Sequence, residues 1–151
     1  SRVYGDQLVP IDRFQIPGLI LGGGVEPRVI PEVSSQVDML PTLLSLAGIQ
    51  AIYPGFGRDL TTPEYFNGAG RAQMHFYGIK AFVVADRAVI LQPDLPPETF
   101  LFQPGGRLLP DDTSQSELER TALAHALFGA LMIERGYFRD SESTGQASAT
   151  P

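Results

Sequence analysis

Two histidines and one acidic residue at a helix start are the side chains of this sequence best suited to acid–base or metal chemistry. They are His75, His125 and Asp38. A metal site also needs further carboxylates or imidazoles at ligand spacing, and neither histidine has such neighbours in the chain. The chain contains no cysteine, which excludes disulfides, thiolate metal sites and a cysteine nucleophile. Both histidines are therefore interpreted as structural.

The acidic residues with the most suggestive positions are better explained as helix signals. Asp38 follows Ser34 and Ser35 in the first turn of a helical pattern, where capping and the helix dipole favour a carboxylate. The pair Asp111–Asp112 precedes Thr113–Ser114, which also resembles a helix entrance. A metal or acid role for Asp38 is the less favoured alternative.

Two further patterns have a functional interpretation and a simpler one. The run Gly22–Gly24 follows an apolar segment, but a phosphate-binding loop leads directly into a helix, and here the extended segment 25–28 intervenes. A turn is therefore predicted. Arg2 and Arg13 flank Tyr4 and Asp6 and would form an anion-facing patch, although exposed arginines are common.

Composition indicates one soluble-type domain and excludes several classes of function. The 151 residues are 43% hydrophobic and 19% charged with a net charge of -6, which is unlike a disordered chain. The arginines are scattered from Arg2 to Arg139, so no basic nucleic-acid surface is predicted. Apolar runs are far shorter than the roughly 20 residues that span a bilayer, so no membrane helix is expected in this chain.

The first half of the chain predicts one strand and one helix. Residues 14–21 form a continuous apolar segment, which is typical of a strand covered on both faces. Residues 34–48 have helical apolar spacing and end at Gly48. Pro41 fits this helix only in its first turn, or in an irregular turn that precedes it. Residues 49–70, rich in proline and glycine, are predicted to be an ordered loop.

The second half predicts a small sheet and a closing helix. Strands are expected at residues 73–77, 80–84 and 87–92, with a tight turn at Ala85–Asp86, and residues 98–103 are expected to add an edge strand. Ser114 and Glu117 have the spacing of a capping box, and the helix that follows ends at Gly136. Residues 140–151 lack apolar anchors and are predicted to be a flexible tail after a domain spanning residues 1–139.

Three segments in order resemble the C-terminal half of a sulfatase-type domain of the alkaline-phosphatase-like superfamily. They are Ile16–Leu21, Ser35–Ile49 (SQVDMLPTLLSLAGI) and Gly57–Leu60 (GRDL). The opening segments Arg2–Asp6 and Pro10–Phe14 are similar to the bacterial branch of lipoteichoic-acid synthases and phosphoglycerol transferases. The resemblance implies an α/β fold: a partial sheet with packed helices, forming the C-terminal portion of such a domain.

The resemblance also implies a metal-dependent enzyme that acts on sulfate or phosphate esters. Family members use a divalent cation (Mn, Mg, Ca or Zn) and a Thr, Ser or formylglycine nucleophile, all held by segments that precede the part matched here. This chain alone is therefore expected to hold no metal or nucleophile and to be inactive. Arg2, Tyr4 and Asp6, nearest the family's metal pair, are its candidate substrate-binding residues, and Asp38 and Pro41 shape a helix start by family role.

The resemblance and the surface pattern together set the expected partners. The upstream part of the same protein is the expected partner, a homo-oligomer through an exposed sheet edge is a second possibility, and nucleic acid is not expected. The parent protein is expected to be a bacterial protein anchored in the membrane, with this part periplasmic or extracellular. The alternative hypothesis is a free-standing, non-catalytic α/β interaction module.

Overall fold

The computed structural model describes residues 8–22, 24–63, 70–103, 105, 107–113 and 115–137. Within these residues, two 3-10 turns, two helices and five strands are defined. The turns are Ile11–Phe14 and Gln36–Asp38, the helices are α1 (Met39–Leu46) and α2 (Ser116–Glu134), and the strands are β1 (Arg71–Phe76), β2 (Ile79–Val84), β3 (Arg87–Leu91), β4 (Glu98–Gln103) and β5 (Arg107–Pro110).

The five strands form one antiparallel meander in the order β1-β2-β3-β4-β5. Short turns connect the first three strands, as the sequence predicts. The β2–β3 turn places Ala85 at φ 50°, and the β1–β2 turn places Tyr77 at φ 48° before Gly78 at φ 83°. Left-handed backbone at these positions gives a two-residue hairpin loop the twist that matches its strands.

Both faces of the sheet are covered, because its central strands alternate apolar side chains between them. Ala81, Val83 and Ile90 point to one face, where the segment 8–11 packs on them. Phe82 and Val89 point to the other face, where α2 covers them. The result is three layers, with the N-terminal segment on one side of the sheet and α2 on the other.

Helix α1 begins with the polar contacts that its sequence predicts. The Ser35 backbone N–H donates to the Asp38 carboxylate at 2.9 Å, which is one half of a capping box. Pro41 is the third residue of α1, in the first turn, where its missing N–H removes no helical hydrogen bond. After the helix Gly48 has φ 68°, the left-handed conformation that favours glycine at a helix end.

The strand predicted at residues 14–21 is wrong for this structure. Residues 15–22 form no strand, and Leu19 and Leu21 are 80% and 83% exposed instead of buried. An extended segment becomes a strand only when another strand hydrogen-bonds to it, and no described segment lies alongside this one. The predicted turn after it is confirmed by the Val25 N–H, which donates to the Gly22 carbonyl at 3.4 Å.

Two further predictions need correction. The strand over residues 98–103 is not an edge strand, since the short strand β5 pairs with it from Arg107 onward. Helix α2 begins at Ser116 with Gln115 as its N-cap, and Gln115 makes no side-chain capping bond. Ser114, the predicted cap, lies outside the described residues, whereas the predicted end at Gly136 is confirmed by its φ of 71°.

The predicted fold class is confirmed as a mixed α/β arrangement: a five-stranded antiparallel sheet and two helices, of which α2 packs on the sheet. Neither α1 nor α2 combines the length and the apolar character that crossing a lipid bilayer requires. The predicted tail at residues 140–151 lies outside the described residues.

Candidate functional site: a buried carboxylate junction

The substrate-binding residues predicted from the sequence, Arg2, Tyr4 and Asp6, lie outside the described residues, so that prediction stays a prediction. Arg13, the fourth member of the predicted anion-facing patch, is exposed in the turn Ile11–Phe14. The described polar centre of the molecule is elsewhere, around Asp38.

Both oxygens of the Asp38 carboxylate accept backbone N–H groups from different parts of the chain. Oδ2 accepts from Ser35 at 2.9 Å, and Oδ1 accepts from Arg58 at 2.8 Å. The Asp38 side chain is completely buried. Each hydrogen bond lowers the free-energy cost of burying the carboxylate. Together the two bonds hold the loop at Arg58 against the start of α1.

A buried arginine balances the charge of Asp38. Nη1 of Arg71, at the start of β1, lies 3.6 Å from Asp38 Oδ1, and both side chains are nearly inaccessible to solvent. Nη2 of the same guanidinium donates to the Phe56 carbonyl. Arg71 therefore joins the sheet to the loop before Arg58 and to the helix start, and we call this set of contacts the Asp38 junction.

The chain approaches itself closely on either side of this ion pair. Thr42 Oγ1 donates to the Asp38 carbonyl at 2.6 Å and accepts the Leu60 N–H at 3.0 Å, so one buried hydroxyl joins α1 to the loop. At Gly57 a Cβ atom would lie 1.9 Å from the Val37 carbonyl oxygen. Only glycine permits that approach.

Aromatic rings extend the junction to α2. The Phe56 ring lies 5.3 Å from the His125 ring and 4.8 Å from the Phe128 ring, with Arg71 5.9 Å from its centroid. His125 also stacks on Phe82 of β2 at 4.8 Å. Burial, followed by the positive charges of Arg71 and Arg58, lowers the pKa of His125, so its imidazole is held in the neutral form.

Two titratable groups on the rim of the junction are shifted in opposite directions. Burial, with the nearby charges of Asp38 and Asp59, raises the pKa of Tyr53. Burial alone would raise the pKa of Asp59 as well, but hydrogen bonds from Ser45 and Thr61 outweigh it and lower the pKa below its ordinary value. Both shifts move the pKa further from neutral pH, where Tyr53 is neutral and Asp59 is charged.

Asp38 has a structural role, because both of its carboxylate oxygens accept backbone N–H groups. His75 is exposed on β1, and His125 is enclosed by aromatic rings. Asp111 accepts from the Thr113 N–H at 3.0 Å and from Arg87 Nε at 3.2 Å, as expected for a helix entrance. In the part of the chain that the structure describes, no three His, Asp or Glu side chains are grouped so as to hold a metal ion.

Sequence reasoning found Asp38 but missed its partner Arg71. Arg71 lies 33 positions along the chain from Asp38, and no pattern linked the two. Thr42 and Gly57 were present in the segments that resemble the sulfatase-type domain, yet their roles depend on contacts with Leu60 and Val37.

A shallow groove of about 690 Å³ lies beside the junction, between α1 and the segment 48–53, with both polar and apolar walls. Leu44, Ile49, Ile52 and Tyr53 line it together with the polar side chains of Ser45 and Gln50, and none of its lining residues is charged. Ile49 and Ile52 are largely exposed there. The groove is therefore a mixed polar and apolar surface without a charged lining residue.

No protein-family model matches the chain. Among solved structures it is similar to a protein in the alkaline phosphatase superfamily from Vibrio parahaemolyticus, with 33% sequence identity and a TM-score of 0.80. The match covers 91% of this chain and 33% of the other, so the chain spans about one third of the length of the structure it matches. Identity and shared fold together support the superfamily that the sequence resembles.

Proposed function

We propose that this chain is the C-terminal scaffold portion of a metal-dependent alkaline-phosphatase-superfamily enzyme that acts on sulfate or phosphate esters. Within the superfamily, a sulfatase-type domain is favoured by the segments Ile16–Leu21, Ser35–Ile49 and Gly57–Leu60, and the phosphoglycerol-transferase branch by the opening segments Arg2–Asp6 and Pro10–Phe14. The observation that supports the proposal most directly is the likeness to one third of a superfamily structure at 33% identity.

The surface of the chain is consistent with a part of a larger domain. Leu19 and Leu21 of the unpaired segment are largely exposed, and so are Leu40 and Leu43 on the outer face of α1. Large exposed apolar surfaces usually mark an interaction site. We infer that the preceding part of the same protein covers them and supplies a strand for the segment 16–21.

The metal and the nucleophile of the proposed reaction would come from that other part. A divalent cation of the Mn, Mg, Ca or Zn type, when bound there, polarises the ester oxygen and activates the attacking group. The residues of this chain would have two roles. The Asp38 junction holds α1 and the loop after it in place, and Arg2, Tyr4 and Asp6 are proposed to line the substrate site. The whole protein is proposed to be membrane-anchored, with this part outside the bacterial cytoplasm.

Activity assays on two proteins test the proposal. The chain of 151 residues should not hydrolyse p-nitrophenyl phosphate or sulfate with Mn²⁺ or Mg²⁺. The longer protein that includes it should do so, and a chelator should abolish that turnover. Metal-dependent turnover by the short chain, or an inactive longer protein that binds its metal, would contradict the proposal.

The candidate substrate-binding residues need a separate assay in the longer protein. Arg2→Ala, Tyr4→Phe and Asp6→Asn should each raise KM for the ester, whereas Arg107→Ala, at an exposed arginine of β5 outside the predicted anion-facing patch, should leave it unchanged. Equal effects of all four substitutions would remove these residues from the site.

A free-standing interaction module is the second candidate, and the same exposed apolar surfaces favour it. The two hypotheses predict different gene sequences upstream of Ser1. The enzyme hypothesis predicts that the reading frame continues upstream and encodes an Asp-His pair, and further upstream a Thr or Ser in a strand-to-helix turn. A start codon directly before Ser1 supports the module.

A further inference from the structure

Helix α2 has two apolar faces, and only one of them packs on the sheet. Leu118 and the buried Ala122 contact the sheet through Phe82 and Val89. With 3.6 residues per turn, Leu123, Leu127 and Leu131 lie on the opposite side of the helix. Their exposures are 46%, 46% and 43%. A helix that is apolar on both sides is normally covered on both sides.

The outer face of α2 is complementary to itself when two helices run antiparallel. With Leu127 opposite Leu127, Leu123 of one copy lies opposite Leu131 of the other, because each is four residues from the centre. At three residues from the centre, Ala124 lies opposite Ala130, and both are small enough for close approach. Such a two-fold contact uses the same patch on both copies.

The charges at the two ends of this face follow the same symmetry. Arg120 and Glu134 are each seven residues from Leu127, so in the antiparallel pair each arginine meets the glutamate of the other copy. Both side chains are exposed, and neither takes part in an ion pair within the described part of the chain. A parallel arrangement would instead place like charges together at both ends.

We propose that the outer face of α2, defined by Arg120, Leu123, Leu127, Leu131 and Glu134, binds the same face of a second copy of this chain in an antiparallel pair. This inference does not depend on the proposed enzymatic function, since it rests on α2 alone. One helix pair buries a small area, so the dimer forms in a concentration-dependent equilibrium with the monomer.

Sedimentation velocity on the chain of 151 residues, from low micromolar to about 1 mM, tests the pairing. We expect a monomer–dimer equilibrium that Leu127→Glu weakens at least about tenfold, because it removes two leucines and opposes two carboxylates at the axis. Leu43→Glu, a matched change at a 48% exposed leucine of α1, should leave it unchanged. A monomer throughout the range, or a dimer lost with Leu43→Glu and kept with Leu127→Glu, would overturn the proposal.

Exchanging the charges at positions 120 and 134 distinguishes specific pairing from non-specific hydrophobic association. Arg120→Glu and Glu134→Arg should each weaken the dimer several-fold, and the double variant should restore it, because the opposite charges then face each other again. A double variant as weak as the single ones would refute the antiparallel register.

Cysteine cross-linking reports the register directly, since the chain has no cysteine of its own. Leu123→Cys mixed with Leu131→Cys should form a mixed disulfide-linked dimer more readily than either variant does alone. Dimers of the Leu123→Cys variant formed as readily by themselves would show a parallel pair or a different surface, such as the edge of β1 or β5.

Discussion

At the scale of single residues, the Asp38 junction is held by a charge that is buried and fully partnered. A buried carboxylate contributes to a fold when donors surround it and becomes costly when one partner is lost. Asp38 has two backbone donors and the Arg71 guanidinium, and these partners come from three separate segments. Its substitution should therefore affect the whole fold.

Asp38→Asn should destabilise the chain by about 3 kcal/mol, because the amide leaves Arg71 buried without a counter-charge and offers one acceptor where two are needed. Urea unfolding followed by circular dichroism measures the difference. Asp12→Asn, at an exposed aspartate, is the control and should change the free energy of unfolding by less than about 0.5 kcal/mol. A loss at Asp38 no greater than at Asp12 would contradict a structural role for the junction.

His125 should make stability depend on pH in mildly acidic solution. Its pKa is lowered in the folded chain by burial and by Arg71 and Arg58, while the unfolded chain takes up the proton at about pH 6.5. Below that pH the unfolded state binds more protons than the folded state. The contribution of His125 to the free energy of unfolding is therefore fully present above about pH 6.5 and is lost as the pH falls through the folded pKa.

Unfolding free energies between pH 7.5 and 5 measure this slope. His125→Phe keeps an aromatic ring between Phe56 and Phe82 and should flatten it, whereas His75→Gln, at the exposed histidine, should not. A slope that persists in His125→Phe would assign the effect to other groups.

At the scale of elements, the loop after α1 is fixed by close backbone contact as much as by charge. Gly57 lies against the Val37 carbonyl, and Thr42 joins α1 to Leu60. Where two backbone segments touch, there is no room for an added side chain. A glycine-to-alanine change should therefore lower stability at such a contact and raise it in an open part of a helix.

Gly57→Ala should destabilise the chain by about 2 kcal/mol or more, since its Cβ would lie 1.9 Å from a carbonyl oxygen. Gly129→Ala is the matched control, because an added Cβ there meets nothing within 4 Å and alanine is the better helix former. It should stabilise the chain by roughly 0.5–1 kcal/mol. Thermal unfolding of both variants measures the two shifts, and equal signs would refute the close-contact interpretation.

At the scale of the whole molecule, the described surface combines a well-packed sheet with apolar segments that nothing described covers. Ile90, in the middle of the sheet, is completely buried, whereas Leu19 and Leu21 are about four-fifths exposed. This difference predicts which residues stabilise the chain alone and which act only within a larger domain.

Leu19→Ser with Leu21→Ser should change the stability of the isolated chain by less than about 0.5 kcal/mol, because both side chains are already in water. In the longer protein the same pair should cost several kcal/mol, since the proposal buries both leucines there. Ile90→Ala is the control and should cost about 2–5 kcal/mol in both proteins. A similar small effect of the leucine pair in both would argue against the scaffold proposal.

The local elements and the resemblance were predictable from the sequence because their signals are local. Short apolar runs bounded by turn residues indicated the first strands, Ser35 and Asp38 the start of α1, and Gly48 and Gly136 the helix ends. The order along the chain of three segments indicated the superfamily that the structural likeness supports; they are Ile16–Leu21, Ser35–Ile49 and Gly57–Leu60.

Tertiary structure alone decided how distant residues meet. The pairing of Asp38 with Arg71, the clearance at Gly57 and the aromatic contacts of His125 join residues far apart in the chain. Residues 14–21 have the composition of a buried strand, yet most of the residues after Phe14 are exposed. A strand needs hydrogen bonds from the backbone of a neighbour, and a side-chain pattern does not supply them.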